Sequence, residues 1–285
     1  MTRPEIDKFT GTETTGHEWD GIHELNTPLP RWWLWTYVAC CIWAFGYWVA
    51  MPAWPLVSSY THGVLGYSQR AVVAADLAAA RLDRAPQTER LAAMPVGAIE
   101  ANPELFGFAL AAGRSAYLVN CAQCHGTGAA GARGYPNLND DDWIWGGTPE
   151  AIEQTIRFGI RSGHPQARDS AMPGFVADGQ LTELQARQMA NHVLDLAQGN
   201  AGQPASAKLY AETCAACHGD QGQGDPKVGA PRLTDRIWLY GDTRESILAT
   251  LTNGRRGVMP GWQDRLDDAT IKQLAVYIHS LGGGK

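Results

Sequence analysis

The sequence predicts an all-α protein in which a single N-terminal transmembrane helix precedes two tandem copies of one small helical domain. Two observations lead to this prediction: an unbroken apolar run of transmembrane length, and an internal repeat that covers the C-terminal two-thirds of the 285 residues. We expect an N-terminal segment, a transmembrane helix, a helical linker and two domains. Their predicted boundaries are residues 1–30, 31–55, 56–104, 105–199 and 204–283.

The composition fits this architecture. Hydrophobic residues make up 45% of the chain and charged residues 18%, which is unlike a disordered chain or a polytopic membrane protein. The net charge of −6 argues against a nucleic-acid-binding protein and would suit a basic protein partner. Of the six cysteines, Cys40 and Cys41 lie in the apolar run, and the other four form two C-x-x-C pairs.

The apolar run from Trp32 to Met51 predicts the membrane anchor. A helix of 20 residues is about 30 Å long, which matches the hydrocarbon thickness of a bilayer. Tryptophans lie at both ends of the run, as in helices whose ends contact lipid headgroups. Pro52 and Pro55 should end the helix. A secretory signal peptide is a poorer match, because thirty polar residues precede the run.

The internal repeat pairs motif with motif along residues 113–281. CAQCHG at 121–126 matches CAACHG at 214–219, and MPGF at 172–175 matches MPGW at 259–262. Each copy reads as an opening helix, a C-x-x-C-H loop, a middle helix, a methionine loop and a closing helix. Ahead of the first copy, the Ala-rich stretch from Arg70 to Met94 predicts a helix that Pro86 interrupts.

Two C-x-x-C-H motifs predict two covalently bound haem c groups. Two thiols at this spacing can each add to one vinyl group of the porphyrin, and the adjacent histidine can ligate the iron. A single such motif would also suit a thioredoxin-like redox pair or half of a zinc site, but zinc would need a further ligand pair near each motif. The repeat therefore predicts tandem class I cytochrome c domains, with attachment at Cys121, Cys124, His125, Cys214, Cys217 and His218.

The second iron ligands are expected to be Met172 and Met259. Each lies in a Met-Pro-Gly sequence, which favours an open loop from which the sulfur can reach the iron. Loop spacing favours a methionine that serves its own copy. Other candidates are assigned to the core or the surface, because Met189 lies in a helical apolar stripe and the remaining imidazoles do not occupy matching positions in the repeat: His164, His192 and His279.

Further side chains are expected to support the haem groups. Pro136 and Pro231 lie 11 and 13 residues after the proximal histidines, so their own or their preceding carbonyls could accept the ring N–H. Aromatic residues could wall the haem pockets or belong to a plain core: Trp143, Trp145, Trp238 and Tyr240. Arginines could pair with haem propionates, although surface charge is the simpler interpretation for most of them: Arg157, Arg161, Arg255 and Arg256.

His/Met ligation fills both axial positions, which predicts outer-sphere electron transfer rather than substrate chemistry at the iron. Haem c is attached on the periplasmic side of the bacterial inner membrane. The sequence therefore predicts periplasmic haem domains and a cytoplasmic N-terminus. No nucleophile triad, carboxylate pair or phosphate loop is present in either copy.

The stretch HEWDGIHELNTPLPRWW at 17–33, which runs directly into the anchor, resembles the dihaem P subunit of cbb3-type cytochrome c oxidases. The resemblance covers essentially the whole chain. It implies that electrons from a cytochrome c donor pass through this chain to a monohaem cytochrome c subunit and the haem–copper catalytic subunit. It also implies an alternative to ligation within one copy, in which the two methionines are exchanged. Met259 would then serve the first haem and Met172 the second. An acidic patch at 140–142 could dock the donor or be a solvated loop.

Two other functions stay open at this stage. One is a free-standing, membrane-anchored dihaem shuttle similar to cytochrome c4. The other is an enzyme, either a dihaem peroxidase or the cytochrome subunit of a periplasmic dehydrogenase. A peroxidase needs one iron with a labile sixth position, and the paired Met-Pro-Gly loops argue against it.

Overall fold

The computed structural model describes residues 4–200 and 202–282, and the chain forms two compact units, Met1–Arg81 and Leu82–Lys285. Helices dominate, as predicted. The elements in chain order are β1 (Thr14–Trp19), β2 (Ile22–Leu25), α1 (Arg31–Ala50), α2 (Gln69–Ala93), α3 (Val96–Ile99), α4 (Pro103–Asn120), α5 (Ala122–His125), α6 (Pro149–Phe158), α7 (Glu183–Ala197), α8 (Pro204–Thr213), α9 (Ala215–His218), α10 (Arg244–Asn253) and α11 (Asp268–His279).

A short β-hairpin in the first unit departs from the all-α prediction. Strands β1 and β2 are antiparallel, and Trp19 pairs with Ile22 across a two-residue turn. The turn residues Asp20 and Gly21 both have positive φ, at 49° and 85°, as an Asp-Gly hairpin turn requires. The Asp-Gly pair was a hairpin signal in a segment to which sequence analysis assigned no secondary structure.

Helix α1 has the properties of a membrane anchor. It is 20 residues long, none of its residues is buried within the protein, and Arg31 is its only charged residue. The helix ends at Ala50, so residues 51–55 of the predicted span are not helical. Pro52 follows closely and could not donate the next backbone hydrogen bond.

Helix α2 continues through Pro86, so the predicted interruption there is wrong. The proline removes one backbone hydrogen bond, and the surrounding Ala, Leu and Arg residues have high helix propensity. The C-terminal end of α2 and the short helix α3 belong to a hydrophobic core. Leu91 of α2, and Val96 and Ile99 of α3, are at most 2% exposed. Residues 91–104, assigned to the linker from sequence, therefore begin the first folded lobe.

The second unit contains two lobes, and each combines parts of both sequence copies. In the first lobe, α11 packs on α3, α4 and α6 around one hydrophobic cluster. In the second lobe, α7 packs on α8 and α10 around another. The closing helix of each copy thus completes the lobe of the other copy.

The exchange has a clear basis in packing. Helix α11 buries seven of its twelve residues, so it needs neighbours on several faces. Gly113 allows α4 to approach it closely, since a Cβ at this position would lie 2.2 Å from the carbonyl oxygen of Gln273. The repeat-equivalent core residues Leu274 and Met189 are both fully buried, but in different lobes. The predicted domains 105–199 and 204–283 are therefore sequence copies whose boundaries cut across the lobes.

Candidate functional site

The two C-x-x-C-H motifs form matching helical turns, α5 and α9. Each follows directly on an opening helix, α4 or α8. A buried tyrosine lies four residues before each motif and binds the glycine that follows the motif. The hydroxyl of Tyr117 donates to the carbonyl of Gly126, and that of Tyr210 donates to the carbonyl of Gly219, both at 2.8 Å. The tyrosine that the repeat aligns in both copies thus has the same structural role in each.

Both histidines are held in one tautomer by a proline carbonyl. His125 Nδ1 lies 3.0 Å from the carbonyl oxygen of Pro136, and His218 Nδ1 lies 2.9 Å from that of Pro231. A carbonyl can only accept, so Nδ1 carries the proton and Nε2 keeps its lone pair. Burial lowers the pKa of both imidazoles, against the opposing effect of the hydrogen bond. The predicted interaction is confirmed, and the acceptors are the prolines' own carbonyls.

The thiols of each motif differ in environment. Cys121 is half-buried and Cys214 is buried, whereas Cys124 and Cys217 are exposed. Burial, with a smaller effect of the neighbouring thiol, raises the pKa of Cys121 and of Cys214 to about 11. One thiol of each pair therefore lies against the core and the other at the surface.

The two methionine loops reach across to the other copy. Met259 forms two backbone hydrogen bonds with Ile160, at 2.9 and 3.0 Å, and Met172 forms two with Arg255, at 2.9 and 3.2 Å. Met259 packs against the cluster of the first lobe, as does Cys121, and Met172 packs against the cluster that contains Cys214. The structure thus brings Met259 to the lobe of His125.

Two equivalent glycines permit this crossing. Gly159 and Gly254 follow α6 and α10 and have φ values of 75° and 70°. A Cβ at Gly159 would lie 2.4 Å from the carbonyl oxygen of Met259, and a Cβ at Gly254 would lie 2.4 Å from that of Met172. Only glycine tolerates both this approach and this backbone conformation without strain.

Two buried donors near these loops have no protein partner among the described residues, namely Trp143 Nε1 and Arg168 Nε. Buried polar groups are normally paired, so such atoms indicate a missing acceptor. Haem propionates are acceptors of this kind. Together with the paired thiols and the oriented imidazoles, these donors show that the residues present fit haem c.

Sequence analysis did not single out Arg168, and the structure explains why. Arg168 lies over the ring of Trp145 at 5.5 Å, as Arg255 lies over Tyr240 at 3.9 Å. Trp145 and Tyr240 are repeat equivalents, but Arg168 lies in the segment 162–171, where the second copy has only residues 257–258. Its backbone pairs with Ile160, which is the position equivalent to Arg255.

Two of the arginines named from the sequence, Arg157 and Arg161, have partners within the protein. Arg157 forms ion pairs with Glu153 at 2.8 Å and Asp268 at 2.5 Å. Arg161 donates through Nε to the carbonyl of Gly257 at 2.6 Å. These contacts hold loops and helices in place within the second unit.

The remaining imidazoles and Met189 lie in ordinary structural environments. Met189 is fully buried in the second lobe. His164 stacks on Phe158, His192 is buried beside Tyr210, and His279 pairs with Glu100.

The acidic stretch is partly enclosed by the second copy. Asp140, Asp142, Trp238 and Tyr240 help to line a cavity of about 470 Å³. Burial, followed by the nearby carboxylates of Asp235 and Asp140, raises the pKa of Asp142 to about 6. Burial also raises the pKa of Asp140. Only Asp141 of the three is exposed enough to resemble a simple surface patch.

Two family models from known proteins match the chain, one in its N-terminal part and one in its C-terminal part. The family described as "N-terminal domain of cytochrome oxidase-cbb3, FixP" matches residues 11–58. The family described as "Cytochrome C oxidase, cbb3-type, subunit III" matches residues 108–193 and 202–278.

Similar proteins extend over the full length of the chain. A cbb3-type cytochrome c oxidase subunit FixP of Bradyrhizobium sp. is 52% identical over 99% of this chain and 98% of its own length. The FixP subunit of Bradyrhizobium diazoefficiens is 50% identical, with the same coverage. The CcoP subunit of an Azospirillum species is 50% identical over 100% of both chains. The chain therefore belongs to the FixP/CcoP family of cbb3-type cytochrome c oxidase subunits.

Proposed function

We propose that this chain is the membrane-anchored dihaem subunit through which electrons from a cytochrome c donor enter a cbb3-type oxidase. The observation that carries the proposal is the duplicated turn in which a C-x-x-C-H histidine, locked by a proline carbonyl, presents Nε2. Each turn would hold one haem c through two thioether bonds. Haem c, when bound, supplies one-electron exchange between ferric and ferrous iron.

The methionine exchange supports a specific set of axial ligands. Met259 would face His125, because its loop is bonded to Ile160 and packs in the first lobe. Met172 would face His218 by the same reasoning in the second lobe. The exchanged arrangement, which the family resemblance implied, is favoured over ligands from the same copy. A thioether stabilises ferrous iron and raises the potential relative to a second imidazole.

Trp143 and Arg168 would donate hydrogen bonds that orient the propionates, and the guanidinium of Arg168 would also offset their negative charge. Both present a buried, unpaired N–H, and the guanidinium of Arg168 is fixed over Trp145. Hydrogen bonds to a carboxylate are stronger when the donor carries a charge, so Arg168 should contribute more than Trp143. With a histidine and a methionine as ligands, neither iron would be open to oxygen or another substrate.

The partners and the orientation follow from the proposed role. The relatives are named as oxidase subunits, which supports assembly with a haem–copper catalytic subunit and a monohaem cytochrome c subunit. Attachment of haem c outside the inner membrane would place residues 82–282 in the periplasm and the N-terminal hairpin in the cytoplasm. Electron transfer through this chain would then support respiration and its coupled proton transport.

Purification from the native membrane in mild detergent tests the role. We expect co-elution with a haem–copper subunit, and a denatured, acid-extracted chain whose mass includes two porphyrins. A chain that elutes alone would support a free-standing shuttle. A colourless extracted chain would refute covalent haem, and carbon monoxide binding to the reduced chain would indicate an open iron and a peroxidase.

A paired spin-label experiment tests the ligand assignment. Val119 and Glu212 are exposed, repeat-equivalent residues two positions before Cys121 and Cys214. A nitroxide placed at one of them, in a chain whose membrane thiols are changed to alanine, senses the nearer iron. Met259→Leu should make one iron high-spin and so broaden the label at 119 while leaving 212 unchanged.

Met172→Leu is the matched control and should do the reverse. Both changes conserve side-chain volume, so the packing cost apart from the lost ligand bond should be less than about 1.5 kcal/mol. Broadening at 212 in the Met259 variant would instead assign each methionine to its own copy.

A further inference from the structure

The chain between the end of α1 and the start of α2 is folded rather than extended. Residues 52–68, here called the folded-back loop, contain a small hairpin in which Thr61 N–H donates to the carbonyl of Trp54, and Leu56 N–H to that of Ser59. The Thr61 hydroxyl accepts from the backbone N–H of Trp54 at 2.9 Å. The hairpin tip is therefore Val57 and Ser58.

The folded-back loop is fastened to the last turn of α1. The backbone N–H groups of Val64 and Leu65 donate to the carbonyls of Val49 and Ala50, at 2.9 and 3.1 Å. These are carbonyls at the C-terminus of the helix, which have no partner within it. Backbone carbonyls without partners are costly near hydrocarbon, so this contact suits a helix end at a bilayer surface.

Ring packing places the base of the hairpin at the level of the helix end. The rings of Trp48 and Trp54 meet edge-on at 5.0 Å. Trp48 is two residues before the end of α1, about 3 Å along the helix axis. The chain therefore does not lead away from the helix after Ala50 but turns back beside it.

The surface of the folded-back loop is mostly apolar, and its one side chain that titrates near neutral pH is the exposed His62. No Asp, Glu, Lys or Arg occurs between Arg31 and Arg70. The tip residue Val57 is fully exposed within the protein, and Val64 and Leu65 are 78% and 68% exposed. Further exposed side chains of the same loop are Trp54, Leu56, Tyr60 and Tyr67.

We propose that the folded-back loop is a second membrane-binding element, which lies in the lipid headgroup region and inserts Leu56 and the tip residue Val57 toward the acyl chains. Its surface is continuous with the lipid-facing surface of α1, and Trp and Tyr are the residues that favour this depth. The loop thereby fixes how far the anchor emerges and where α2 begins. This inference depends on membrane anchoring and not on the haem assignments.

Site-directed spin labelling of the full-length chain tests the depth of the loop. The membrane thiols Cys40 and Cys41 are changed to alanine, and a nitroxide is attached at Val57→Cys in vesicles of phosphatidylethanolamine and phosphatidylglycerol. Accessibility is compared for oxygen, which concentrates in lipid, and for a nickel chelate present on both sides, which stays in water. Leu184→Cys is the matched aqueous control, since Leu184 is 67% exposed on α7.

The label at Val57 should show an oxygen-to-nickel ratio several-fold above that at Leu184, and below that of a label on Cys41 in a Cys40→Ala chain. A ratio equal to that at Leu184 would overturn the proposal, because the tip would then be in water. The same measurement is made in the assembled oxidase. There, loss of access to both reagents would also overturn it, because a protein surface rather than lipid would cover the tip.

Discussion

The exchange of closing helices can be tested by removing one core side chain from each copy. Leu274 of α11 and Met189 of α7 are repeat equivalents, and both are fully buried. Leu274 packs in the first lobe with α4 and α6, and Met189 in the second with α8 and α10. Leu274→Ala should therefore weaken the first lobe, although Leu274 belongs to the second sequence copy.

The expected magnitude follows from the burial. Replacing a fully buried Leu or Met by Ala costs about 2–5 kcal/mol, through lost apolar contact and the cavity left behind. Since about 1.4 kcal/mol corresponds to a factor of ten, amide exchange through local opening should accelerate by roughly thirtyfold to roughly four-thousandfold. The acceleration should be confined to the lobe in which the side chain is buried.

Hydrogen exchange followed by mass spectrometry resolves the lobes, because α4 and α8 yield separate peptides. Leu274→Ala should accelerate exchange in α4 and α6 and spare α8 and α10, and Met189→Ala should do the opposite. If Leu274→Ala instead loosened α8 and α10 while α4 kept its protection, the exchanged packing would be wrong.

Three further predictions follow. Gly113→Ala should destabilise the first lobe by about 1–3 kcal/mol in denaturant unfolding, because the new Cβ would meet the backbone of α11. Gly107→Ala on the same helix has open space around it and should be neutral or stabilising. Equal effects of the two changes would refute the close approach of α4 and α11. Lys272 Nζ donates to the carbonyls of Ala92 and Met94, at 2.6 and 2.7 Å. Lys272→Met should therefore lower the free energy of unfolding by about 1–2 kcal/mol and make the α2–α3 junction sensitive to protease. The control Lys208→Met, which breaks only an exposed ion pair, should leave the junction protected. Burial raises the pKa of Asp142 to about 6, so the protonated carboxyl is tolerated at low pH, and the protein loses stability as Asp142 ionises with rising pH. Asp142→Asn should therefore raise the free energy of unfolding by about 1 kcal/mol after solvent screening, with a gain that grows from about pH 4 and levels off above about pH 6. Unfolding titrations measure this profile, and the control Asp141→Asn, at an exposed position, should not show it.

The sequence was sufficient for whatever depends on local chemistry. The apolar run predicts α1 because its length and its tryptophans are properties of the segment itself. The proline carbonyls that bind His125 and His218 were predictable because the repeat places a proline at nearly the same distance after each histidine. In both cases the interacting groups are close in sequence, and the pattern alone limits the possible partners.

The exchange of the lobes was not predictable from the periodicity. The two closing helices carry the same apolar stripe, so each could pack against either opening helix, and only the three-dimensional contact at Gly113 and the crossings at Gly159 and Gly254 distinguish them. Arg168 was missed for a related reason. It reaches its place over Trp145 from a segment without a matching residue in the second copy, and the residue that aligns with Arg255 in the first copy is Ile160.

The exchanged architecture links the two C-x-x-C-H turns more closely than two tandem domains would. Each lobe takes its C-x-x-C-H turn from one copy and its methionine loop and closing helix from the other. Neither site is therefore complete in one copy alone, and a displacement of one lobe moves a loop that closes the other. Backbone hydrogen bonds join Ile160 to Met259 and Met172 to Arg255, so each methionine loop is fastened to the other copy. The two C-x-x-C-H turns are thus held together by packing and by backbone hydrogen bonds between the copies, and not by the chain connection alone.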